Sequence, residues 1–159
     1  MDGMWGDSNR VNGLELPKLL ISLLNNNLWV HPGDDILGRV IPWCRDPFVF
    51  LDREMMIQES KQCSSIDLFF RSASSKESKQ RVPPLPWIDT DLAVMIGCNK
   101  HLGDDVGICL DYRTDSLDPC VVASYWPEKS SFDDYDKFGH FWREVTPTFS
   151  EFAKILNLQ

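Results

Sequence analysis

Apolar residues recur at helical spacing near the start of the chain: Leu16, Leu19, Leu20, Leu23 and Leu24 fall at i, i+3, i+4, i+7 and i+8. That stripe predicts a helix, with Pro17 suited to its first turn and Asn25, Asn26 and Asn27 supplying residues that tolerate a left-handed C-terminal cap. A second helix is expected from Asp34 or Asp35, turning Ile36, Leu37, Val40 and Ile41 inward and stopping near Pro42, with Pro32–Gly33 as the turn before it. The run FVFLDREMMIQESKQ reads as a third helix with Phe50 or Leu51, Met55 and Gln58 on one face. Between Ser60 and Pro86 a short apolar island, Ile66, Leu68, Phe69 and Phe70, predicts an edge strand. After it comes a mobile Ser-rich loop at about 71–86, too poor in large apolar residues to offset the entropy of a fixed conformation.

After Trp87 the period turns strand-like. LAVMIGC and VGICLDY, separated by the Gly- and Asp-bearing NKHLGDD, predict a β-hairpin, with Val106, Ile108 and Leu110 on a core face and Gly107, Cys109 and Asp111 on the other. PCVVASYW predicts a third strand, reached through the turn TDSLDP, and FWREV a last short one. The closing helix carries Phe149, Phe152, Ala153 and Leu156 on one stripe, and its start is signalled twice, by Thr146–Pro147 and by Thr148 with Glu151. Helices, then an antiparallel meander, then a helix make an α+β pattern: one domain over 1–159.

Composition adds bounds to this picture. At 159 residues, 43% hydrophobic and 25% charged, the chain suits a single folded core. Asn25–Asn27 interrupt the best apolar window before it reaches the ~18 residues of a membrane span, and Asp2 and Asp7 occupy the place of a secretory signal's basic region, so a cytoplasmic protein is expected. Cys44, Cys63, Cys98, Cys109 and Cys120, odd in number and without a CxxC pair, predict free thiols. The net charge is −8, of which residues 101–159 carry −6. That excess of acid disfavours direct nucleic-acid binding and favours a basic protein partner.

No spacing supports a metal, a cofactor or a catalytic group. His31, His101 and His140 are far apart, Pro119–Cys120 lacks both the second cysteine and the HxE of a zinc deaminase, and Asp104–Asp105 reads as turn chemistry. Neither a phosphate loop nor a GxSxG elbow occurs. The chain is therefore expected not to be an enzyme and to bind no cofactor. Aromatic and acidic residues do intermingle outside any period: Trp126, Glu128, Phe132, Asp133, Asp134, Tyr135, Asp136 and Phe138, with Asp115 and Asp118 in the preceding turn, are the candidate protein-binding residues. A core-capping Trp126 and a merely solvated loop are the competing reading.

GDDVGICLDYRTDSLDPCVVASYW and FWREVTPTFSEFAKIL resemble the SUKH superfamily, the Smi/Knr-like proteins, through Gly107, Leu110, Asp111, Tyr112, Val121, Val122, Trp126, Trp142, Val145, Phe149 and Phe152. A weaker likeness runs through LWVHPGDDILGRVIPW and LPWIDTDLAVMIGCNK. The resemblance implies a curved antiparallel β-sheet with N-terminal helices and a closing C-terminal helix, and a non-enzymatic role. Bacterial members look like immunity proteins that neutralise toxins, often nucleases, by direct binding; a fungal branch includes a regulator of cell-wall synthesis. The expected function is accordingly immunity-type binding, with an intracellular regulatory or scaffold protein as the alternative. The cysteine content and the Ser-rich loop near 72–80 depart from the bacterial pattern.

Overall fold

The computed structural model describes residues 9–44, 46–60, 88–101, 106–125 and 141–158. The described residues open with a small hairpin, β1 (Arg10–Val11) and β2 (Leu14–Glu15), which the helical reading of the N-terminus did not anticipate. Asn12 and Gly13 both sit at positive φ, 57° and 75°, as a two-residue hairpin turn of matching twist requires. The Asn12 side-chain amide donates to the carbonyls of Thr90 (2.9 Å) and Ala93 (3.0 Å), fastening the hairpin to the segment some eighty residues on that leads into the central sheet.

Helix α1 (Lys18–Asn25) buries Leu20 and Leu23, while Leu16 is buried just ahead of it. Its end is the left-handed cap expected of the triple Asn: Asn27 has φ 57°, its N–H donates to Leu24, and the Leu28 N–H donates to Leu23 at 2.8 Å. Helix α2 (Asp34–Val40) follows Gly33, whose φ of 113° suits glycine alone. Leu37 and Ile41 are buried as expected, but Ile36 is 38% exposed and Val40 only half-buried, so the apolar stripe is narrower than the sequence suggested.

The third expected helix is corrected most. Phe48–Phe50 form a strand, β3, and the helix α3 starts later, at Arg53–Ser60. β-branched and aromatic residues favour the pleated pairing that β4 (Ala93–Asn99) offers, and Asp52 then starts the helix by accepting from the Met55 N–H (2.9 Å). Met56 and Ser60 face inward, while Met55 and Gln58 are exposed. The strand expected near 66–70 and the Ser-rich loop lie outside the described residues.

A five-stranded antiparallel sheet runs in the order β3, β4, β5 (Gly107–Asp111), β6 (Cys120–Tyr125) and β7 (Phe141–Thr146). With four α-helices among the described residues and a two-stranded hairpin as well, the fold is α+β. Register shifts at Met95/Gly97 and Val121/Val122 are bulges, which bend the strands and increase their twist. All of Gly107–Asp111 is buried, so both faces of β5 are covered rather than the single face that alternation predicted. Helix α3 packs on β4, and α4 (Phe149–Ile155) on β6 and β7.

Helix α4 is capped by Thr148, whose Oγ1 accepts from the Glu151 N–H (3.2 Å). Thr146, the other candidate cap, lies in β7 and donates its hydroxyl to the Thr148 carbonyl (2.7 Å). A third left-handed Asn, Asn157, ends the helix. Val106, Ile108, Leu110, Val121, Phe149, Phe152 and Leu156 are all buried in the core as their spacing predicted.

Candidate protein-binding site

The turn between β5 and β6 is held from both ends. Asp111, buried at the end of β5, accepts from the Arg113 backbone N–H (3.1 Å) and forms a two-pronged ion pair with its guanidinium, Nε to Oδ1 at 2.9 Å and Nη2 to Oδ2 at 2.8 Å. Charges this far from water persist only when paired with this geometry. The Tyr112 hydroxyl donates to the Glu15 carbonyl (2.8 Å), tying the turn to β2. Burial, and secondarily the charge of Glu15, push the Tyr112 phenol well above its usual range, so it remains a neutral donor.

Both described acidic candidates shape this turn. Asp115 Oδ1 accepts from the N–H groups of Leu117 (2.8 Å) and Asp118 (3.1 Å). Asp118 Oδ1 accepts from the Ser150 N–H (3.0 Å) in the first turn of α4. Sequence reasoning gave these carboxylates to a partner; here they fix the backbone that bears Leu117, which is 79% exposed. The signal for Leu117 was present in TDSLDP, a turn whose one large apolar residue has no strand or helix period to satisfy. Trp126, Glu128, Phe132, Asp133, Asp134, Tyr135, Asp136 and Phe138 lie outside the described residues.

Leu117 stands on the rim of a cleft of about 470 Å³ between this turn and the N-terminal hairpin and first helix. Leu14, Leu19 and Tyr112 contribute apolar surface; Arg10, Glu15, Lys18 and Asp118 bring charges of both signs to the lining, Arg10 and Glu15 lying 3.9 Å apart. Among the described residues its lining contains neither histidine nor cysteine. Among the described residues there is no group of three or more His, Cys, Asp or Glu that could hold a metal ion.

The described cysteines are free. Burial and the nearby Glu59 push the Cys98 thiol up to about 11, and burial with Glu144 and Asp111 pushes Cys120 up to about 12. Cys109, fully buried with its Sγ 3.3 Å from Met95 Sδ, is also raised well above the usual thiol range, by burial first and Asp111 second. None of these three is an activated nucleophile. Among the described residues no helix is long and apolar enough to cross a membrane. Comparison of the chain with protein-family models, curated proteins and solved structures finds no match.

Proposed function

We propose that this chain works by binding another protein through the 112–118 turn and its cleft, in the manner of an immunity protein that neutralises a toxin, of the nuclease-directed kind in the SUKH superfamily it resembles. The observation that carries this reading is Leu117: a large apolar side chain 79% exposed on a backbone pinned by Asp115, Asp118 and Tyr112. A rigid anchor loses little entropy on binding, and interface energy concentrates in such residues. The net charge of −8 favours a basic partner. In this reading the carboxylates of Asp133, Asp134 and Asp136 add to its attraction, and the protein acts in the cytoplasm without catalysis or cofactor.

The test is a paired capture with the whole chain and its Leu117→Asp variant as baits. A basic protein retained by the first and lost by the second, toxic when expressed alone and harmless when this chain is co-expressed, is the expected result. Identical retention by both baits places the interface elsewhere. A retained partner that is harmless alone moves the function to regulation or scaffolding, the cell-wall-regulator type.

A further inference from the structure

Arg143 stands in β7 opposite Ala123 of β6, and Tyr125 stands opposite Phe141 two residues along. Residues two apart on a strand share a face, so the side chains of Arg143 and Tyr125 lie diagonally on one side of the sheet. The guanidinium carbon of Arg143 is 4.3 Å from the centroid of the Tyr125 ring and 5.1 Å from that of Trp43, which comes from the segment just after α2. Trp43 and Tyr125 are half-buried, and Arg143 is exposed. Two aromatic rings, each with a negative face, thus hold one cation at the surface.

The rings engage its charge but accept none of its hydrogen bonds. A guanidinium carries five N–H donors in one plane. Those of Arg143 have neither a hydrogen-bond acceptor nor a carboxylate within ion-pair distance among the described residues. The neighbouring Glu144 supplies none, because successive residues of a strand point to opposite faces, and its carboxylate lies 3.6 Å from the Cys120 Sγ. Arg113, by contrast, gives its fork to Asp111. In a chain of 24 acidic and 16 basic side chains, ion partners are in excess. A guanidinium fixed by rings instead of by one of them is prepared for a partner from outside.

We propose that Arg143, with Trp43 and Tyr125, is a docking point for a single carboxylate side chain of a partner protein. A guanidinium already held by rings loses little further freedom when a carboxylate meets its fork. One fork matches the two oxygens of a carboxylate, whereas a phosphate group brings up to twice the charge to a chain at −8. That net charge also repels an acidic body, so the carboxylate sits on a segment otherwise neutral or basic, with apolar neighbours that meet the rings. A contact of this kind sets register more than attraction. None of the three residues lines the cleft beside Leu117, and the inference does not depend on the function proposed for that cleft.

The probes are four acetylated tripeptides with leucine at both ends, titrated to millimolar concentration into the whole chain. The central residue is glutamate, glutamine or phosphoserine with the C-terminus amidated, or glutamine with the C-terminal carboxylate free. Binding is followed by NMR at the Arg143 Nε–H and the Trp43 indole N–H. The glutamate peptide should shift both and bind about tenfold more tightly than its glutamine counterpart, the worth of a charge-assisted bond. Arg143→Lys keeps the charge, loses the fork and should weaken that peptide about tenfold; Tyr125→Leu removes one ring and should weaken it about threefold. The wild-type comparison of glutamate with glutamine decides the matter if either variant fails to fold. Equal binding of those two peptides, resonances unmoved by all four, or undiminished binding by Arg143→Lys would overturn the proposal. Tighter binding of the free-carboxylate peptide would give the site to a chain terminus, and tighter binding of the phosphoserine peptide to a phosphate group; either overturns the assignment of the ligand.

Discussion

Replacing Phe152 by alanine tests whether α4 closes the core or decorates it. The ring is 0% exposed, and its centroid lies 6.2 Å from that of Phe149, which in turn lies 5.8 Å from Trp29. Truncation removes the buried ring and leaves a cavity that strands and helix relax into only in part. The expected cost is about 3–5 kcal/mol. At this chain length each kcal/mol lowers the midpoint by about 2–4 °C, so the melt should fall by roughly 6–20 °C. Ile155, on the same helix but 52% exposed, supplies the control: Ile155→Ala should stay within about 0.5 kcal/mol. Urea denaturation followed by circular dichroism reads both. Equal stability losses in the two variants, or a Phe152→Ala loss below about 1 kcal/mol, would refute the placement of this stripe in the core.

Three further outcomes are expected. Asp118→Ala removes the acceptor for the Ser150 N–H at the start of α4 and should cost about 1 kcal/mol, with Asp118→Asn recovering part of it in the same urea titration. Cys98 and Cys120 have raised folded pKa values, so the stability from keeping their thiols neutral is complete below the unfolded value near 9 and declines as pH rises toward 11 and 12; denaturation midpoints should fall over pH 9–11, and Cys120→Ala should flatten that decline. Purified protein should contain no stoichiometric zinc by elemental analysis, and its melt should be unchanged by a chelator.

How much of this was legible depended on whether local pattern and tertiary demand agreed. They agreed in α4, where Phe149, Phe152 and Leu156 follow one helical period, and at Asn27, where an Asn run marks a left-handed cap. They parted at Phe48–Phe50: the run into Arg53 has no break that periodicity registers, and only the presence of β4 makes its first three residues a strand. The N-terminal hairpin was signalled by Asn12–Gly13 between Val11 and Leu14, but each strand is two residues long, too short to show alternation. In the candidate site, composition picked out Asp115 and Asp118, and the structure shows each accepting from backbone N–H groups, a role that sequence does not separate from partner binding. An exposed carboxylate and one engaged by backbone N–H groups look alike in sequence, and Leu117 acquires meaning only once those bonds hold it outward.

The fastening of the N-terminal hairpin by the Asn12 side chain also sets a chemical clock. An asparagine followed by glycine is open to attack by the next backbone nitrogen, because glycine has no side chain to obstruct ring closure; hydrolysis of that ring leaves an acid in place of the amide. Here the amide nitrogen donates to two carbonyl oxygens, those of Thr90 and Ala93. A carboxylate at the same place has no proton to give and meets both oxygens with like charge. Ageing at this one residue would therefore loosen the first strands from the start of β4 while adding a negative charge to a chain already at −8, and a stored sample would lose its N-terminal clasp whichever carbonyl of the ring water attacks.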